Sequence, residues 1–150
     1  MFRIDFELVP QLEDSAAFST FPLGHITISS HEGAITSKGR QPDQAMMIGI
    51  AIVVLLDGLR LLATDPSQSH YRFVGADSSF ALDFDKISGA RVRISDKGQT
   101  VVEVFSHELY AEVAKAARRF ASLHPLSPDD PTASDFKNAM IEFASEVLAM

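Results

Sequence analysis

Asp57 and Arg60 are the residues whose chemistry stands out, because they directly follow the most apolar stretch of the chain. Every residue from Ala45 to Leu56 is apolar when glycine is counted. On a helix the two charged side chains lie about 60° apart, on the side that also carries Gly49. A pair that is partly buried beside this glycine would line a ligand pocket, whereas a pair that reaches the surface near the helix end would be solvated. The sequence leaves both interpretations open.

A cluster of oxygen-bearing side chains is the next candidate for chemistry. Five of them fall within nine residues: Asp77, Ser78, Ser79, Asp83 and Asp85. A hard cation such as calcium prefers oxygen ligands, but a calcium-binding loop sets them at alternate positions around a glycine. Asp83 and Asp85 instead flank an apolar residue on a predicted strand, which directs both carboxylates to solvent. We therefore expect no metal site.

The histidines and serines do not form a recognisable catalytic motif. None of the five histidines belongs to an HExxH sequence or has another histidine four residues away. Ser106 and His107 are neighbours, but on a helix their side chains point about 100° apart. The chain contains no GxSxG, P-loop or GxGxxG sequence. These patterns predict no catalytic residue and no cofactor, and they favour binding over catalysis.

The chain is acidic, with 20 Asp and Glu residues against 13 Lys and Arg residues and a formal net charge of −7. The excess lies at the two ends, since residues 1–35 carry five acids against Arg3 and residues 121–150 carry five against Lys137. This balance repels phosphate backbones and disfavours nucleic-acid binding. It is typical either of a surface that is acidic for solubility or of an acidic face that meets a basic protein partner.

Alternation of apolar and polar residues predicts an antiparallel sheet of about five to seven strands. The segments that carry it are residues 2–8, 24–30 and 34–37, a hairpin at 71–84 and a second hairpin at 91–104. A polar, serine-containing loop is expected between Pro10 and Pro22.

Helical periodicity predicts three helices, at about residues 43–63, 106–122 and 131–149. The first contains the apolar run and is expected to be buried against the sheet, with Asp43 as its N-cap. The other two carry an apolar stripe on one side, so they pack mainly on the same face of the sheet. The sequence thus predicts an α+β fold in a single domain, residues 1–150.

The last predicted helix has a wider apolar surface than one contact needs. Ile141 and Leu148 lie about 100–140° from the stripe that contains Phe136. Such a surface fits a homodimer contact, a groove in a partner protein, or contact with two elements of its own chain. The candidate partner-binding residues are these two and five acids, Asp129, Asp130, Asp135, Glu142 and Glu146.

The composition also suggests a compartment. The apolar run is too short to cross a membrane, which takes about twenty predominantly apolar residues. The chain has no cysteine, so disulfides are excluded. Its first residues alternate apolar and charged side chains where a secretory signal would be continuously apolar. We therefore expect a cytoplasmic protein with no membrane partner.

Four segments carry a resemblance to a known group of proteins. They are Gly24-His-Ile-Thr-Ile, Leu55-Leu56-Asp57-Gly58-Leu59, the stretch from Tyr71 to Phe80, and Glu108-Leu109. Over about residues 2–122, their succession resembles small bacterial proteins similar to the immunity proteins of polymorphic toxin systems. The resemblance implies a non-enzymatic α+β protein that neutralises a toxin by binding it. It carries over no functional residue, because the shared positions are core and turn positions.

We therefore expect a binding protein of the immunity type that meets a basic protein through its acidic surface. One alternative is a small-molecule-binding protein or enzyme with a pocket between the sheet and the apolar helix, near Asp57, Arg60, Tyr71 or His25. Another is a structural homo-oligomer. A filled interior would favour the first function, and a sizeable cavity with convergent polar groups would favour the second.

Overall fold

The strands form two antiparallel sheets, seen in a computed structural model that describes residues 1–10 and 22–149. In the first sheet β2 (Leu23–Ser30) is central. β1 (Arg3–Leu8) pairs along one side of it, and β3 (Gly33–Thr36) and the short β4 (Met46–Met47) pair along the other. A turn at residues 31–32 connects β2 to β3.

The second sheet is an antiparallel meander whose strands follow one another in the chain. They are β5 (His70–Val74), β6 (Ala81–Ile87), β7 (Arg91–Asp96) and β8 (Gln99–Phe105). Both predicted hairpins are confirmed. In the turn between the last two strands Lys97 and Gly98 have φ values of 52° and 79°, a conformation that glycine adopts at little cost.

Within the described residues the α-helices occur in the predicted order: α1 (Ile48–Thr64), α2 (Ser106–Leu123) and α3 (Pro131–Phe143). α3 continues as a π-helical turn, Ala144–Leu148. The start of α3 is stabilised by Asp130, whose carboxylate accepts the Thr132 N–H at 2.8 Å. Among the described residues, no helix is both long and apolar enough to cross a bilayer.

The apolar helix begins later than its pattern predicts. The sequence places its start at Asp43, but α1 starts at Ile48 because the preceding residues form β4 and pair with β2. The Ile48 N–H donates to the Pro22 carbonyl at 3.2 Å, so the first turn is anchored to the first sheet without a side-chain cap. The loop predicted between Pro10 and Pro22 lies outside the described residues.

Apolar side chains from the two sheets and the helices form one core. The largest fully buried side chains include Phe73, Phe80, Phe84 and Phe143. α1 and α2 each contact strands of both sheets, whereas α3 packs mainly against α1. The predicted α+β class is confirmed, and the strands, expected in one sheet, divide into two sheets of four.

Arg40 lies in the seam between the two sheets, where β3 contacts β8. Its Nε donates to the Thr36 carbonyl at 2.8 Å, and its Nη2 donates to the Asp96 carboxylate at 2.7 Å. The guanidinium group also lies 5.0 Å from the centre of the Phe80 ring, a cation–π distance. Since both members of the ion pair are largely buried, this contact joins the sheets where no strand pairing does.

The outer edge of β1 is covered by side chains of α2. The Ile4 N–H donates to Glu112 Oε2 at 2.9 Å, and the Ile4 carbonyl accepts from Arg119 Nη2 at 2.8 Å. These two side chains take the positions that a neighbouring strand would occupy at that residue. An exposed edge invites pairing with another chain, so α2 protects the first sheet there.

Candidate protein-binding surface

Arg60 is the point at which α3 and its π-helical turn meet α1. Its guanidinium group lies 4.0 Å from the Asp57 carboxylate, 3.6 Å from Glu142 and 3.4 Å from Glu146. Asp57 and Arg60, which the sequence nominated for ligand binding, therefore meet Glu142 and Glu146, which it nominated for partner binding. Three carboxylates around one guanidinium leave a local excess of negative charge.

Gly49 lies elsewhere in the contact between α1 and α3. It is buried, and a Cβ built on it would lie 3.6 Å from Thr132 Cγ2, an ordinary van der Waals distance. A cleft of about 270 Å³ lies nearby, lined by Ile50, Val53, Pro131, Thr132 and Asp135. Ligand sites usually enclose about 300–1,000 Å³, so this cleft is small for one. Gly49 therefore lies against the first turn of α3 with room for a Cβ, and it is not among the residues that line the cleft.

The Asp57 carboxylate is in an unfavourable electrostatic environment. Partial burial raises its pKa, the charges of Glu142 and Asp135 raise it further, and Arg60 opposes them. About half of the Asp57 side chain is exposed, against 20% of Arg60. The carboxylate is thus accessible at the surface. The negative charges of Glu142 and Asp135 favour an additional cation beside it.

Tyr71 connects β5 to α1 beside Gly58. Its hydroxyl donates to the Val54 carbonyl at 3.0 Å, and a Cβ at position 58 would overlap its ring, so glycine is required there. Burial, together with the charge of Asp57, raises the pKa of Tyr71 well above its usual range. Tyr71 and Asp57 are therefore close neighbours across Gly58.

Two exposed apolar side chains of α1 flank this contact. Val54 is 42% exposed and Leu61 is 47% exposed, and they lie one turn on either side of Gly58 on the same face of the helix. We call this surface the acidic face. It consists of Val54, Leu61 and the carboxylates of Asp57, Asp135, Glu142 and Glu146.

The two remaining candidate acids lie outside the acidic face. Asp130 is the N-cap of α3, so its carboxylate is used within the fold. Asp129 is exposed in the segment before α3, where its N–H contacts Ser127 Oγ at 3.3 Å. Of the five predicted partner-binding acids, Asp135, Glu142 and Glu146 share one flank of the last helix, since residues 135, 142 and 146 fall within about 40° of one another.

The two apolar candidates lie on the other flank of α3. Ile141 is 55% exposed and lines a groove of about 460 Å³ between α3 and the segment after α2. We call this the α2–α3 groove; its lining includes Pro125, Leu126, Phe136, Lys137, Met140 and Ile141. Leu148 is exposed on the same flank, about 20° from Ile141 around the helix axis. The predicted partner-binding residues therefore divide between two surfaces.

His25 and Ser37 form a pair that no sequence motif indicates. His25 Nδ1 lies 2.8 Å from Ser37 Oγ, the arrangement of a general base and a nucleophile. However, Ser37 is fully buried, and its hydroxyl oxygen also accepts the Ile26 N–H at 3.1 Å. A substrate cannot reach that oxygen, so the pair holds the end of β3 against β2 and offers no nucleophile.

The predicted oxygen cluster divides between the segment before β6, which contains Asp77, Ser78 and Ser79, and the face of the second sheet, which carries Asp83 and Asp85. Asp83 pairs with Arg72 at 3.0 Å, and Asp85 pairs with His70 at 2.8 Å. Asp77 lies in the turn before β6 with a positive φ of 56°. In the described part of the chain, no three His, Asp or Glu side chains converge closely enough to hold a metal ion. The carboxylates that belong to the sheet face are therefore engaged in cross-strand ion pairs.

Comparisons of the chain with protein-family models, with curated proteins and with solved structures find no match. The acidic face and the α2–α3 groove are therefore the basis for inferring what the chain does.

Proposed function

We propose that this chain is a non-catalytic binding protein that recognises a basic segment of another protein through its acidic face. The observation that carries the proposal is the position of exposed Val54 and Leu61 beside carboxylates that outnumber the single Arg60 guanidinium. Apolar anchors supply most of the affinity in protein interfaces, and complementary charge selects the partner and accelerates encounter. The acidic face has both kinds of group within one helix–helix junction.

Inhibition of a toxin in the cytoplasm is the biological role that best fits such binding. The resemblance to immunity proteins supports this role, and so does the overall charge of −7, which attracts a basic toxin domain over a distance. The role predicts that a neighbouring gene encodes a toxin domain. The wild-type chain should inhibit that toxin, and a chain with a neutralised acidic face should not.

A displayed library of random peptides tests the binding chemistry directly. The library is selected on the wild-type chain and on the combined variant Asp135→Asn, Glu142→Gln and Glu146→Gln. The control combines Glu32→Gln, Asp77→Asn and Asp129→Asn, three exposed carboxylates outside the acidic face. Both variants lose the same charge, so a difference between them reports on location and not on net charge.

We expect the selected peptides to contain Lys or Arg beside apolar residues. They should bind the acidic-face variant about tenfold more weakly than the control variant, and added salt should reduce the difference. Equal binding to both variants, or a selection without any peptide specific for the wild-type chain, would contradict the proposal.

Self-association is a second candidate function, favoured by the α2–α3 groove. Although the chain is acidic, none of the described residues that line this groove carries a carboxylate, so two copies can meet there without opposing negative charges. Ile141 would then be the central apolar contact. Sedimentation of the wild-type chain should show a dimer, and Ile141→Glu should return it to a monomer; a wild-type monomer at high concentration would exclude this function.

A further inference from the structure

The main chain of β5 alternates between groups that face β6 and groups that face outward. The Gly75 N–H donates to the Phe80 carbonyl at 2.8 Å. Likewise, the Lys86 N–H donates to the Ser69 carbonyl at 2.8 Å, so residues 69, 71, 73 and 75 face β6. In an antiparallel ladder the residues between them direct their N–H and C=O groups to the other side. The outward residues are His70, Arg72 and Val74.

This outward side of β5 is open between two internal contacts, one of which lies just beyond the strand, where the Met47 N–H donates to the Ala76 carbonyl at 3.0 Å. Within the described residues the second sheet ends at β5, and Gln68 Nε2 donates to the His70 carbonyl at 3.3 Å. The described part of the chain provides no hydrogen-bond partner for the outward main-chain groups of Arg72 and Val74. The side chains of both are exposed, so an approaching chain can reach this edge.

Two other sheet edges among the described residues are contacted at particular main-chain groups. Side chains of α2 bind the Ile4 N–H and carbonyl at the edge of β1. β3 and β8 contact each other, and Arg40 binds the Thr36 carbonyl in the seam between them. The outward groups of Arg72 and Val74 on β5 have no contact of this kind among the described residues, and unlike the other edges β5 lies beside the acidic face.

The acidic face lies beside this edge. Tyr71, in the middle of β5, binds the Val54 carbonyl and lies against Gly58, with Val54 and Leu61 on either side of it. A strand added next to β5 would direct every second side chain towards this apolar strip. Long basic side chains could cover Val54 and Leu61 with their methylene groups and place their charges near Asp57.

We infer that the partner binds as an extended segment that pairs with β5 and extends the second sheet by one strand. This inference rests on the proposed function and specifies its partner. Main-chain hydrogen bonds to Arg72 and Val74 would position the segment, and alternate side chains would be selected by the acidic face. The expected sequence therefore alternates, with apolar or basic residues at every second position.

A second copy of this chain fits the edge less well. If two β5 strands paired antiparallel with His70 opposite Val74, the two Arg72 side chains would lie directly opposite each other. Like charges in that position destabilise a sheet. The same arrangement would bring two acidic faces together. A basic segment of a different protein avoids both repulsions.

Two variants at position 74 test the main-chain contact. Val74→Pro removes the outward N–H but leaves the ladder to β6 intact, because proline is tolerated on the open side of an edge strand. Val74→Ala removes the same side chain and keeps the N–H. The probes are the peptides selected on the wild-type chain, and circular dichroism with thermal melting checks that each variant is folded. We expect Val74→Pro to bind at least tenfold more weakly than Val74→Ala.

A second measurement leaves the protein unchanged. The selected peptide is N-methylated at one set of alternate residues and then at the other. One set should abolish binding and the other should leave it within about twofold, since only alternate N–H groups of an added strand face β5.

Equal binding of the two Val74 variants, or equal effects of the two methylation sets, would overturn the inference. The proposed function would still stand in that case if binding depended on the acidic-face carboxylates. It would fall separately if the selection returned no peptide that distinguishes the acidic-face variant from its control.

Discussion

The Tyr71 ring occupies the space in which residue 58 of α1 would otherwise carry a side chain, and its hydroxyl donates to the Val54 carbonyl at 3.0 Å. The Tyr71 side chain thereby holds β5 against α1. It therefore positions the open edge of the second sheet relative to the acidic face.

Substitution of the helical glycines tests this packing. Gly58→Ala should destabilise the chain by about 1–3 kcal/mol, because its Cβ overlaps the Tyr71 ring and the core must shift. Gly49→Ala is the matched control, since its Cβ meets Thr132 Cγ2 at 3.6 Å; alanine should be neutral or stabilise by up to about 1 kcal/mol through helix propensity. Urea denaturation measures both. Similar effects at the two positions would contradict the close contact of Tyr71.

Titration of the tyrosines tests their burial. The chain contains two tyrosines, and burial raises the pKa of Tyr110 to about 12 and that of Tyr71 further, from an ordinary value of 10.0. The absorbance of tyrosinate should therefore be almost absent at pH 10 in the folded chain and about half-developed in urea. A half-titrated folded chain at pH 10 would show that the rings are exposed.

The same shifts predict how stability depends on alkaline pH. A phenol with a raised folded pKa binds its proton more tightly in the folded state. The stability it contributes is fully present below pH 10, the ordinary value, and is lost as the pH rises through the folded values. Thermal melts between pH 9 and pH 12 should show a falling midpoint, and Tyr71→Phe should reduce the dependence.

Removal of Arg40 should loosen the seam between the sheets. Arg40→Ala is expected to cost about 1.5–3 kcal/mol, because it leaves the largely buried Asp96 carboxylate without its partner. Arg40→Ala combined with Asp96→Ala should cost less than the sum of the two single changes. Arg3→Ala, which breaks a more exposed pair with Asp5, should leave the stability almost unchanged. Additive effects of Arg40 and Asp96 would exclude the pairing.

Neutralisation of Asp57 should have a small stabilising effect that depends on pH. Because its folded pKa is raised above the ordinary 3.8, the ionised group disfavours the folded state once the pH exceeds that value. Asp57→Asn should therefore raise the melting midpoint at pH 7, by about 0.3 kcal/mol or less in free energy since solvent screens a half-exposed carboxylate. The difference should vanish near pH 3. A loss of stability at pH 7 would mean that attraction to Arg60 dominates.

Local patterns predicted the elements of this fold because period and turn chemistry are local properties. The alternation at residues 2–8 and the stripe through Phe136 each specify one element and its buried side. The division into two sheets was not predictable in this way. The way the two sheets meet depends on contacts between distant segments, such as the pair of Arg40 and Asp96, which are 56 residues apart in the chain.

The candidate site was predictable in its parts but not in its assembly. Asp57 and Arg60 stood out as charges next to an apolar run, and Glu146 stood out as part of an acidic helix. Arg60 and Glu146 are 86 residues apart, so only tertiary packing brings them together. Gly58 gave a signal that could have been used, since glycine inside a helix is costly and often marks a close approach by another element.

The occupied edge of β1 determines how this chain can associate at high concentration. Glu112 and Arg119 bind the outward groups of Ile4, whereas those of Arg72 and Val74 on β5 have no partner among the described residues. A strand that pairs with β5 covers these groups, so the bound chain no longer presents them to another molecule. Strand addition at β5 should therefore stop at a stoichiometry of one to one.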